Sequence, residues 1–189
     1  MSKLELFYPV RPYRINQRFG ENATPIYQQF GMKGHNGMDL WAPDGWPVRA
    51  AHDGVVTFAG EDGASGYSIV IRTKDKREYK DGTAYFKTLY CHLRKDGLRV
   101  TAGQHVKVGD IIALADNTGV STGSHLHFGL KPVQKGEADW QFSNVEQDNG
   151  YRGAIDPEPY WGGLYADDFA GILQSWEEIK IAFAALFRK

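Results

Sequence analysis

Apolar and polar residues alternate along most of this chain in short runs, cut by glycine, proline and aspartate-glycine turns. Alternation with period two puts every second side chain on one face and predicts short β-strands. An irregular lead-in holding Pro9 and Pro12 precedes a short strand over residues 15–20, and residues 21–34 read as loop. The stretch Gly34-His35-Asn36-Gly37-Met38-Asp39-Leu40 is loop running into strand, because its glycines and Pro43 oppose a helix; His35 and Asp39 fall on one side. Residues 47–51 and 54–60 read as two strands of a hairpin-rich sheet, and 67–72 as another. The charged segment 73–82 reads as a solvated hairpin loop. In the strand over 85–93, alternation puts Tyr90 and His92 on one face and Cys91 on the other. Short strands punctuated by turns fill 99–114, and small residues at 117–123 lead into His125-Leu126-His127-Phe128. There the two histidines share a face, with Leu126 and Phe128 opposite.

The tail differs in kind. From Asp167 to Arg188 the apolar residues recur at three- and four-residue steps, with aspartates at the start and Arg188 and Lys189 at the end. That is the pattern of an amphipathic helix whose end charges suit its dipole. The chain is therefore expected to be a mainly β, antiparallel-sheet domain over residues 1–160. A C-terminal segment, 161–189, should carry the helix, whose apolar face would dock on its own domain or mediate self-association.

Composition narrows this little further. With 189 residues, 42% hydrophobic, one core in one domain is the simplest outcome. A net charge of -1 gives no bulk attraction to nucleic acid. Cys91 is the only cysteine, so no disulfide forms within the chain, and it reads as a buried small apolar residue. No stretch is long and apolar enough for a transmembrane helix, and the first residues do not read as a signal peptide.

The polar residues that alternation singles out are His35, Asp39, His92, His125 and His127. A His-x-His pair alone is as readily a solvated pair as a ligand pair. With a carboxylate added, two imidazoles and one aspartate around a divalent ion, one position open, make the layout of a catalytic zinc site. Two further histidines could take a proton from an attacking water and donate to an oxyanion. His52 and His105 lie in turn-like charged contexts and read as surface residues.

These motifs resemble those of the lysostaphin/LytM-type zinc peptidases, which cut peptide cross-links of bacterial peptidoglycan. Gly34–Leu40 is similar to the family's His-x(3)-Asp motif, Tyr90-Cys91-His92-Leu93 to its Tyr-x-His-Leu, and residues 121–128 to its Ser-Thr-Gly-x-His-Leu-His-Phe. The segment from Val100 to Asp110 and Ile155-Asp156-Pro157 fit as well, so the likeness spans roughly residues 9–160. The resemblance implies that His35, Asp39 and His127 bind one Zn²⁺. It further implies that His125 is the general base, and that His92 stabilises the oxyanion or assists proton transfer. It implies an antiparallel sheet with a groove over one face and a zinc endopeptidase acting on peptidoglycan peptides. The alternative within the same fold is a catalytically silent wall-binding or activator domain.

Two other classes fare worse. The Val-Lys-Val-Gly-Asp segment at 106–110 resembles half of a biotinyl or lipoyl carrier motif, but no modifiable lysine stands in the required context. A two-histidine, one-carboxylate iron oxygenase would lack its usual His-x-Asp spacing and leave His92 and His125 without a task. With a wall substrate and no leader, delivery by phage-type lysis machinery or as a virion component is the expectation.

Overall fold

The computed structural model describes residues 2–22, 25–137, 141–166 and 168. Its elements, in chain order, are β1 (Leu6–Tyr8), β2 (Ile15–Gln17), α1 (Ile26–Gln29), β3 (Met38–Trp41), β4 (Pro47–Arg49), β5 (Gly54–Glu61), β6 (Tyr67–Arg72), β7 (Arg77–Tyr79), β8 (Gly82–Leu93), β9 (His105–Val106), β10 (Ile111–Leu114), β11 (His125–Lys135), β12 (Phe142–Asn144) and β13 (Trp161–Tyr165). Among the described residues the fold is mainly antiparallel β, as the alternation predicts. A nine-stranded sheet runs β2-β3-β11-β8-β6-β5-β9, with β12 joined to β11 and β7 to β8.

The long strands β8 and β11 form the middle of this sheet and show why it is stable. They pair antiparallel from His127 opposite Cys91 to Val133 opposite Tyr85. On one face, Phe86 and Tyr90 of β8 and Leu126, Phe128 and Leu130 of β11 are wholly buried, joined by Leu40, Ile69 and Ile71. Burying each such side chain contributes about 1.5–3 kcal/mol before entropy is counted. Ala113 and Ile112 of β10 and Val48 of β4 close the core from below. The opposite face carries His125, His127 and Lys131.

Several expectations change. The segments 47–51 and 54–60 do not share one sheet: β4 pairs with β10, far along the chain, in a separate two-stranded sheet, while β5 lies in the nine-stranded one. The loop expected over 21–34 contains the one-turn α1. The charged 73–82 segment is a hairpin with a short strand, β7, paired on β8. Trp161–Tyr165, which had no strand assigned from the sequence, lies parallel to β1. The amphipathic helix expected from Asp167 to Arg188 lies outside the described residues.

His52 is buried rather than a surface residue. Its Nδ1 lies 2.9 Å from the Asp53 carbonyl and its Nε2 3.0 Å from Thr88 Oγ1. Thr88 Oγ1 in turn meets Tyr90 Oη at 3.2 Å, and Tyr90 Oη accepts the Ala51 N–H at 2.8 Å. Each polar atom in this buried chain has a partner, which is the condition for burying them at all. No helix among the described residues is long and apolar enough to cross a membrane.

Candidate metal centre

β3 and β11 are antiparallel neighbours, and their register sets Asp39 directly opposite His127. Side chains at such a pair project from the same face. The loop before β3 brings in His35, so three polar groups converge although 88 residues separate Asp39 from His127. His35 Nε2 lies 2.9 Å from His127 Nδ1 and 3.1 Å from Asp39 Oδ1, and His127 Nδ1 lies 3.0 Å from Asp39 Oδ1.

The donor set suits a divalent metal. His35 Nδ1 is 3.1 Å from the Arg18 carbonyl, which can only accept, so Nδ1 carries the proton and Nε2 presents its lone pair inward. Two imidazole nitrogens and a carboxylate oxygen thus face one another, an arrangement that a shared cation relieves. Tetrahedral zinc with bonds of about 2.0–2.1 Å separates its ligands by about 3.3 Å, close to the spacing here. Gly37 permits this approach: a Cβ there would stand 2.6 Å from the Phe128 carbonyl and 2.7 Å from the His127 ring.

The electrostatics follow from burial and from Asp39. Burial pushes the Asp39 carboxyl upward, but the imidazoles of His125, His127 and His35 gathered around it outweigh that and hold the group well below the carboxylate range. Burial lowers His127, against the pull of Asp39. Burial also works against His125, yet the contact with Asp39 wins and raises it.

His125 and His92 stand beside the three-group cluster. His125 Nδ1 lies 2.7 Å from the Gly123 carbonyl, so that nitrogen holds the proton; Nε2 faces Asp39 Oδ1 at 3.5 Å. The His92 ring is 4.8 Å from that of His125 and 6.0 Å from that of His127. Its Nδ1 meets the Thr118 carbonyl at 2.8 Å, leaving Nε2 as the inward-facing nitrogen. Burial brings His92 down to about 4, so it is neutral near pH 7. All five residues singled out in the sequence come together at one end of the sheet.

His92 arrives by a route that alternation does not predict. Tyr90 and His92 were expected to share a face. Tyr90 is in the core, and Cys91, cross-strand from His127, lies on the site face. His92 reaches the site because its backbone turns left-handed, φ 60°. For a non-glycine residue this conformation costs roughly 1 kcal/mol or more. Two backbone links hold it: Asp116 N–H donates to the His92 carbonyl, and the Asp116 carbonyl accepts the His125 N–H. The Thr118 carbonyl is positioned in turn by its hydroxyl, which donates to the Leu93 carbonyl at 2.7 Å. Gly66 packs so tightly on Thr118 that a Cβ would come within 2.4 Å of it. Cys91 is buried as expected, and burial lifts its thiol to about 11, so it stays protonated. The carbonyls of Arg18, Gly123 and Thr118 have no signature by residue type.

Residues 33–139 match peptidase family M23. The chain belongs to that family. Solved M23-like folds agree: LytU is 30% identical with a TM-score of 0.57, covering 85% of this chain and 90% of its own. The catalytic domain of the antimicrobial peptidase lysostaphin from Staphylococcus simulans is 26% identical with a TM-score of 0.51, covering 83% and 91%. Among curated relatives, the DD-carboxypeptidase/endopeptidase Mpg of Neisseria meningitidis serogroup B is 38% identical over 115 residues, 61% of this chain and 24% of Mpg. The peptidoglycan DD-endopeptidase ShyB of Vibrio cholerae serotype O1 is 38% identical over 109 residues, 56% and 23%. This M23 chain thus spans about a quarter of the length of those curated relatives.

Proposed function

We propose that the chain is a zinc endopeptidase that hydrolyses peptide cross-links or stem peptides of bacterial peptidoglycan. The observation that supports it most is the meeting of His35, Asp39 and His127 with two more imidazoles that present Nε2 toward the same space. His35 through Nε2, His127 through Nδ1 and Asp39 through Oδ1 would hold one Zn²⁺. When bound, the ion supplies Lewis acidity toward a carbonyl oxygen and lowers the pKa of water to about 7.

The chain's own groups then divide the proton work. His125 keeps its proton on Nδ1, donated to Gly123, so its Nε2 is the base for the attacking water. His92, neutral and fixed by Thr118, likewise offers an unprotonated Nε2. In that tautomer it first accepts or relays a proton, and it becomes a donor to the oxyanion only once Nε2 is protonated. Burial of His35 keeps competing water from its imidazole.

Purified peptidoglycan of two chemotypes, incubated with the protein and zinc, should release soluble peptides that mass spectrometry identifies by the bond cut. His125→Ala should bind the wall and release peptides at least about a hundredfold more slowly, the usual worth of a general base. Binding without release by the unaltered chain would instead favour a silent wall-binding domain.

A further inference from the structure

The face of the sheet that carries the histidines continues beyond them into a feature the hydrolytic site does not use. Along β11, His127 is followed on the same face by Gly129 and Lys131. Lys131 stands directly opposite Lys87 of β8, and Lys87 directly opposite Arg72 of β6. Three cations therefore lie in a row across three adjacent strands. Like charges at directly opposed positions repel, so such a row is unfavourable unless something anionic is brought to it.

The surroundings do not supply that anion. Among the described residues, neither Lys131 nor Lys87 is within ion-pair distance of a carboxylate. Burial lowers Lys131 most; Cys91 opposes this, Arg152 and Lys87 lower it further, and Asp62, which acts least, raises it. Burial and Arg72 lower Lys87. Cys91, the other polar group nearby, is a neutral thiol. Arg72 is clamped over the rings of Tyr85 and Phe142 with its Nε buried and unpartnered. Lys87 Nζ sits 5.7 Å from the Phe142 ring centre. These aromatic contacts keep the cations on the face; Arg72 spends one Nη on the Thr73 carbonyl at 2.9 Å, and its Nε stays without a partner.

Between the row and the histidines the floor is low. Gly129 has no side chain, and a Cβ there would only touch Leu89 and the Asn36 carbonyl. Four residues of strand, about 13 Å at the usual rise, separate His127 from Lys131. An extended peptide covers that span with about four residues.

We propose that Lys131, Lys87 and Arg72 form a carboxylate subsite that receives an anionic side group of the peptide substrate, about four residues from the bond cut. The proposal rests on the reading of this chain as a peptidoglycan endopeptidase. Stem peptides carry carboxylates that are free in some walls and amidated in others, so the subsite would make the enzyme selective for the free acid.

The test uses two cross-linked peptidoglycan peptide dimers, identical except that their side carboxylates are free in one and amidated in the other. Cleavage of each is followed with the unaltered protein, with a Lys131→Gln/Lys87→Gln variant, and with Lys131→Arg. In parallel, calorimetry measures binding of both dimers to His125→Ala, so affinity is read without turnover. The free-acid dimer should have a KM and a dissociation constant about tenfold lower than the amidated one, the worth of a charge-assisted hydrogen bond. The double Gln variant should bring the KM ratio to near one, and Lys131→Arg should retain most of it. Equal handling of the two dimers by the unaltered protein, or a preference that survives in the double variant, would overturn the subsite. If neither dimer is cut, the endopeptidase reading fails, while the binding ratio still decides whether the cationic row selects carboxylates.

Discussion

The two faces of β8 and β11 are made from alternate residues of the same strands, yet they do opposite work. One face packs Phe86, Tyr90, Leu126, Phe128 and Leu130 out of water. The other holds His125, His127, Lys131 and Lys87, groups that gain little by burial and much by partners. The difference teaches that the core face sets the positions the polar face needs. Asp39 meets His127 only because Met38 and Leu40 on β3, and Leu126 and Phe128 on β11, fix the register from below.

Breaking each face in turn should separate stability from chemistry. Phe128→Ala on the core side should cost about 3–5 kcal/mol in urea unfolding, the usual penalty for emptying an aromatic site. It should lower activity only in proportion to the folded fraction. A comparably large loss of intrinsic activity in the folded fraction would show that the faces are not separable.

Gly37→Ala sharpens the boundary, because it touches both faces at once through the Phe128 carbonyl and the His127 ring. The added methyl has no free space, so His127 must shift. Zinc affinity, read by competition with a chelator, should fall by about 10–100-fold, as for other residues that orient a ligand. An unchanged affinity would mean the ring has room that the structure denies it.

The smallest effect concerns His52, a buried imidazole on the core side. Burial lowers its pKa, so the unfolded chain takes up a proton near pH 6.5 while the folded chain does so only at lower pH. Its contribution is therefore complete above about pH 6.5 and is lost as pH falls toward the folded value. His52→Gln should cost about 1–2 kcal/mol at neutral pH by disturbing Thr88 and Tyr90. It should also make stability fall less steeply between about pH 7 and 5, measured by urea unfolding. A steeper fall would contradict the neutral assignment.

Much of this was legible in the chain itself. Period-two alternation marked β6, β8 and β11 closely, and the spacing of His35, Asp39 and the 125–127 pair marked the site. What escaped has physical causes. The β4–β10 pairing joins segments far apart in sequence, and alternation within each segment does not reveal its partner or its sheet. His92 breaks alternation through one left-handed residue, which no side-chain pattern shows. His52 looked exposed beside Asp53, but it bonds the carbonyl of Asp53 and a hydroxyl from β8. The row of Lys131, Lys87 and Arg72 needed the register of three strands before it could be seen.

The central claim is that His35, Asp39 and His127 grip one metal ion. Metal content of the purified protein after equilibration with zinc, with X-ray absorption at the zinc edge, tests it most directly. One zinc per chain with two imidazole ligands is expected, and it should be lost in a His127→Ala variant that stays folded by circular dichroism. No bound zinc in the unaltered chain, or full occupancy in the His127→Ala variant, would contradict the account.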